Sequence, residues 1–160
     1  MTPEALWPYA LDLYGPPEVE AAFLDLQDRH DQCVAYLIWS LWAADQGRTL
    51  DAAALGQGAD LARAWQAAAI APLRRMRRDL KSPLIAGTDA PRQALRGSVQ
   101  ALELEAERML LQMLEALSPA PTEAGLAAAE ALERAVRAWG AGDAPLADLV
   151  NALAPSRALL

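Results

Sequence analysis

The chain has 160 residues, 54% of them hydrophobic and 22% charged, a composition that fits one globular domain and excludes a disordered chain. Its formal net charge of −7 disfavours nonspecific contact with nucleic acid or an anionic membrane, so neither is expected as a partner. Alanine and leucine dominate the apolar residues while valine, isoleucine and threonine are scarce, so sheets are disfavoured and an all-α fold is expected.

In chain order, Thr2-Pro3-Glu4 reads as a helix start. Trp7, Leu11 and Tyr14 then fall at i, i+4 and i+7, which predicts one inward face, and Gly15-Pro16-Pro17 ends the segment. A second helix is predicted from Glu18 to about His30, with Val19, Phe23, Leu26 and His30 as its stripe. The stretch from Cys33 to Ala44 carries no charge. As a helix it spans roughly 18 Å, too short for the roughly 30 Å hydrocarbon core of a bilayer. A helix apolar all round is then buried in protein, and no membrane insertion is expected. The expected architecture is a single-domain bundle of about six or seven helices around this central helix, residues 33–46.

Thr49 or Asp51 is predicted to cap a short helix over Ala52 to Leu55, which Gly56-Gln57-Gly58 interrupts. A second piece from Asp60 to Ala71 points Leu61 and Trp65 inward, and Pro72 restarts or kinks the chain. Beyond it Leu73, Met76 and Leu80 share a face, with Arg74, Arg75, Arg78 and Lys81 around them. The longest helix is predicted from Asp89 to Leu117, with Leu95, Val99, Leu102, Ala106, Met109, Met113 and Leu117 facing the core. Leu104 and Leu111, seven apart on the opposite side, suggest a helix sandwiched in the bundle or an interface with a partner. Ser118-Pro119-Ala120-Pro121 is the clearest linker. It divides a core of residues 1–118 from peripheral C-terminal helices of the same domain, 119–160, expected over Thr122 to Trp139 and Leu146 to Ala154.

Chemistry-bearing constellations are few. Cys33 is the single cysteine, so no intrachain disulfide or cysteine-based metal site can form. With no basic signal-peptide region before Arg29, a reducing cytoplasm is the expected location. Asp25, Asp28, His30 and Asp31 invite a hard-cation reading, but no second acidic cluster matches them, so a solvated surface is favoured and no metal or cofactor is expected. The Gln27-Asp28 pair suits a hydrogen bond to the Gly15–Pro17 turn, a cap on the central helix, or a ligand contact. The run Arg74, Arg75, Arg77, Arg78 and Lys81 suits a polyanion, yet Glu103, Glu105 and Glu107 offer counter-charge across an antiparallel helix pair, which is the favoured reading. Trp7, Tyr14, Tyr36, Trp39, Trp42 and Trp65 either line a cavity for an apolar ligand or fill the core. No catalytic triad, nucleophile elbow or phosphate loop is present.

The leading functional expectation is a non-catalytic interaction protein that binds a protein partner, or itself, through a face such as Leu104 and Leu111. The alternative is a small-molecule binder with an aromatic-lined cavity, in which Asp28 or Arg74 orients a polar group and Gln27 and Arg78 are further candidate contacts. A metal-dependent enzyme around Asp25 to Asp31 is the weakest of the three.

Trp7, Leu13, Tyr14, Pro17 and Val19, then Leu24, Leu26, Gln27 and Asp28, then Val34, Leu37 and Trp42 form one spaced pattern. Through it residues 7 to about 110 resemble a short proteobacterial family of unknown function. Pro72-Leu73-Arg74 and Leu104-Glu105-Ala106-Glu107-Arg108 resemble its middle section. Asp31, Cys33 and Ala35 stand where the pattern has Gly, Asp and Asn, and Glu18 replaces a glycine. The resemblance implies an all-helical bacterial cytoplasmic protein and supplies no activity.

Overall fold

The central helix α3 (Val34–Asp45) is apolar enough to exclude water on every side, and every residue from Tyr36 to Ala44 is buried. The buried Ser40 is satisfied internally, its hydroxyl donating to the Leu37 carbonyl at 2.8 Å. The computed structural model describes residues 5–122, 125–140 and 142–157; the expected start at Thr2-Pro3-Glu4 lies outside them. Five helices pack on α3: α1 (Leu6–Leu13), α2 (Pro17–His30), α4 (Ala52–Trp65), α6 (Asp89–Ala116) and α7 (Ala128–Trp139). A five-residue π-helical segment, Gln66–Ile70, links α4 to α5 (Ala71–Asp79), and α8 (Ala147–Arg157) lies against α2. No strand occurs among the described residues, and none of their helices is long and apolar enough to cross a membrane.

Several elements depart from the expected pattern for identifiable reasons. α4 runs unbroken through Gly56 and Gly58, capped by the Asp51 carboxylate, which accepts from the Ala54 N–H at 2.8 Å. Gly58 is there for packing: a Cβ would sit 2.6 Å from Cη2 of Trp39, so the missing side chain makes room for the indole. In α1 the buried residues are Leu6 and Ala10, while Leu11 is 53% exposed.

α6 is rotated relative to its expected face. It buries Arg92, Val99, Glu103, Ala106, Leu110, Leu111 and Leu114, and leaves Leu95, Leu102, Met109 and Leu117 exposed. Two of those buried positions are charged, and each is partnered. Arg92 donates to the Leu80 carbonyl at 2.6 Å, tying the α5–α6 hairpin, and Glu103 receives Arg74 and Arg77. A periodicity read from apolar residues alone misses a face closed by ion pairs.

The segment after 118, expected at the periphery, contributes to the core. Leu132, Ala135, Val136 and Trp139 of α7 and Leu149 and Leu153 of α8 are buried. Trp139 lies 5.4 Å from the Tyr36 ring, its indole N–H donates to the Asp31 carbonyl at 2.7 Å, and Arg63 stacks over it at 4.6 Å. Arg63 also donates to the Trp139 carbonyl. The linker itself is pinned where the Gly47 carbonyl accepts the Thr122 N–H at 2.6 Å. Gly47, at φ +65°, is in the left-handed region and ends the turn after α3.

Candidate ligand-binding cavity

A cavity of about 210 Å³ opens between α1, α3, the π segment and α6. Cavities of about 150 Å³ with apolar walls hold a benzene ring, so this one suits a ligand of one ring or a short branched chain. Trp7, Ala10, Val34, Ala35, Ile38 and Ile70 supply apolar wall, and Tyr14, Gln27, Cys33, Gln66, Arg74 and Glu107 supply polar atoms. The space exists because α1 and α3 present alanine, at positions 10 and 35, where larger side chains would fill it.

Local structure fixes the polar groups. Tyr14 caps α1 just before the Gly15–Pro17 turn and stacks on Phe23 of α2 at 5.9 Å. Burial is the main cause that pushes its hydroxyl up to about 12, with Glu20 and Glu107 adding to it. Cys33, completely buried before α3, is pushed up to about 11 by desolvation; at neutral pH it is a thiol and not a nucleophile. The π segment carries Gln66 and Ile70 to the cavity. Wide turns of this kind recur at binding sites.

The charged corner is a four-residue network joining α5 to α6. Arg74 Nε donates to Glu103 Oε1 at 3.0 Å and Arg77 Nε to Glu103 Oε2 at 2.5 Å, while Arg74 Nη2 reaches Glu107 Oε1 at 3.4 Å. The antiparallel pairing expected from the sequence is thus present for Glu103 and Glu107; Glu105 instead pairs with Arg108 on its own helix. Burial works to raise the Glu103 carboxyl, but the hydrogen bonds and charges of Arg77 and Arg74 overcome it and hold it below the usual range. At Glu107 burial prevails and pushes the carboxyl up, with Arg74 offsetting only part of the effect and the charge of Glu103 adding to it.

Of the residues singled out from the sequence, Trp7, Tyr14, Gln27, Arg74, Leu104 and Leu111 meet at this cavity. Leu104 is 52% exposed at its rim, whereas Leu111 is buried, so the two do not form one exposed face. Tyr36, Trp39 and Trp42 are core: the Tyr36 hydroxyl donates to the Leu55 carbonyl at 2.9 Å, the Trp39 indole to Ser118 Oγ at 2.8 Å, and Trp42 lies beneath Arg48 at 5.1 Å. These aromatics occupy space instead of enclosing it. Trp65 is partly buried and donates to the Ala106 carbonyl at 2.8 Å.

Asp28 and Arg78 are exposed and do not line the cavity. Asp28 accepts from its neighbour Gln27 at 3.4 Å, and no side chain caps α3. Asp25 is engaged by Arg29 at 3.2 Å and lies 3.9 Å from His30, and no group of three or more potential metal ligands occurs among the described residues. Ala35, Ile38, Gln66 and Ile70 were not singled out as site residues; small or apolar residues within helices carry no mark of lining a void. Only the π segment, invisible to helical periodicity, distinguishes two of them.

These features define an all-helical domain with an amphipathic pocket on one flank of its central helix. The chain belongs to the family described as Protein of unknown function (DUF2390), whose model matches residues 5–114. That match takes in α1 to α5, most of α6 and every residue lining the cavity, and stops before α7. No match was found among curated proteins or solved structures.

Proposed function

We propose that this protein binds a small amphipathic molecule in the cavity between α1, α3, the π segment and α6. One observation carries the reading: a space of about 210 Å³ with mainly apolar walls has Arg74, Glu107, Tyr14, Gln27 and Gln66 at its border. Few convergent polar groups in an otherwise apolar recess are the mark of a ligand site. Cys33 and Ala35 also line it, one a neutral thiol and the other too small to fill the space. The single thiol, buried and neutral, fits a protein of the bacterial cytoplasm. Benzyl alcohol, titrated while the melting temperature is followed, tests the reading. A ligand bound only by the folded state raises stability, by about 2.7 kcal/mol at a hundred times its Kd. The expected outcome is a saturable rise in Tm that Ala35→Leu, which fills the cavity, abolishes; no rise with benzyl alcohol or with its charged one-ring relatives benzoate and benzylamine refutes it.

A second reading, a protein-interaction module, draws on the exposed residues Leu95, Leu102 and Met109, spaced seven apart along α6. That spacing suits a packed partner helix or a second copy. Under this reading Leu102→Glu lowers the mass measured by light scattering or abolishes capture of the partner; a monomer at all concentrations with no captured partner removes it.

A further inference from the structure

We infer that the cavity selects ligands with a carboxylate head, held by Arg74 in place of Glu107; this rests on the binding reading above. The apolar walls fix the other half of the molecule as one ring or a short branched chain.

Two charged side chains line the cavity, Arg74 and Glu107. They are not equivalent. The guanidinium of Arg74 is fixed through Nε on Glu103, which Arg77 holds from its other oxygen. The arginine is therefore oriented before any ligand arrives. Its Nη2 is only loosely engaged by Glu107 at 3.4 Å, and its Nη1 makes no hydrogen bond among the described residues. An incoming carboxylate takes these two donors side by side, the geometry in which arginine binds oxyanions best. The Tyr14 hydroxyl, with no hydrogen bond among the described residues, is a third donor at the same border.

The sign of the preferred charge follows from what each group can give up. Glu107 can be neutralised by one proton from solvent; Arg74 cannot lose its charge in a protein. The groups facing Glu107 are Arg74 and Arg77 on α5, Glu103 on its own helix, Tyr14 at the end of α1 and Cys33 before α3. Of these only the arginines carry positive charge, and both tyrosine and thiol stay neutral near pH 7. When a ligand carboxylate arrives, Glu107 takes up a proton, and the two arginines then face two carboxylates, Glu103 and the ligand. A ligand ammonium would sit against a guanidinium that cannot leave.

Benzoate, benzyl alcohol and benzylamine share one ring and differ in the head, so calorimetric titration of the full chain with all three separates the questions. Benzoate is expected to bind about tenfold or more tightly than benzyl alcohol, with benzylamine weakest. Arg74→Met removes the preference, so that benzoate no longer binds more tightly than benzyl alcohol. Glu107→Gln keeps or strengthens benzoate binding and abolishes its proton uptake, measured as the dependence of the binding enthalpy on buffer ionisation; this variant decides the matter if Arg74→Met does not fold. Benzyl alcohol or benzylamine binding as tightly as benzoate overturns the carboxylate inference while leaving the cavity a binding site. Failure of all three to bind overturns the binding reading itself.

Discussion

Gly58 and Trp39 show how one residue sets the packing of a whole core. The indole is fully buried and anchored on Ser118, so it cannot retreat from a new methyl group. Gly58→Ala is expected to destabilise by about 1–3 kcal/mol through overpacking, against which alanine's helix propensity returns about 1 kcal/mol. Gly97→Ala, on α6 with nothing within 4 Å of the added atom, has only the second effect and should stabilise by about 0.5–1 kcal/mol. Urea titration of both variants checks the contrast, and equal effects would refute the packing account. The glutamates of the charged corner offer a second test, in opposite directions. Glu103, held below the usual carboxylate range, gives stability that is present above that range and lost as pH falls through its folded pKa. Glu107, pushed above the range, does the reverse: its ionisation lowers stability as pH rises through its folded pKa. Relative to the parent chain, Glu107→Gln should therefore gain stability at neutral pH and lose that advantage below the carboxylate range. Glu103→Gln should lose stability at neutral pH and lose less in acid. Thermal melts across pH 4 to 8 read both trends.

At the scale of elements, what was legible in the sequence depended on how a helix closes its inner face. α3 was readable because it is apolar on all sides, and α2 because Val19, Phe23 and Leu26 recur at helical spacing. The Arg74–Glu103 and Arg74–Glu107 pairs were also foreseeable, since opposite charges on two helices joined by a short connection must meet if the helices pack antiparallel. On α6 the apolar stripe is only partly the inner face: Val99 and Ala106 are buried and Met113 partly so, while the rest is exposed. Leu95, Leu102 and Met109 carry the stronger apolar signal, but burial follows partners as well as hydropathy, and Arg92 and Glu103 are buried because each is paired. The unbroken α4 was missed because glycine punctuates chains in general, whereas here Gly58 is a seat for an indole from another helix. The cavity followed the same rule. Its polar and aromatic border, Trp7, Tyr14, Gln27 and Arg74, stands out by residue type, while the alanines that leave the space do not.

Across the whole molecule, charge is unevenly distributed. Seven basic residues, Arg74, Arg75, Arg77, Arg78, Lys81, Arg92 and Arg96, fall in one hairpin with only Asp79 and Asp89 among them, although the chain as a whole is at −7. Net charge alone therefore misdescribes the field around α5 and the start of α6. The part of the chain outside the family match supports the part within it, since α7 covers α3 and its Trp139 holds the end of α2 through Asp31. The longest-range consequence belongs to Gln66–Ile70. This widened turn takes up one extra residue in an otherwise continuous rod running from Ala52 to Asp79. Deleting Ala68 lets the rod wind regularly, and because four α-helical residues turn and rise about as far as five π-helical ones, Arg74 and Arg77 still face Glu103. Such a shortened chain should remain helical by circular dichroism and keep the stability that Glu103 confers at neutral pH; a marked fall in melting temperature would mean that the extra residue itself is needed to bring the two helices together.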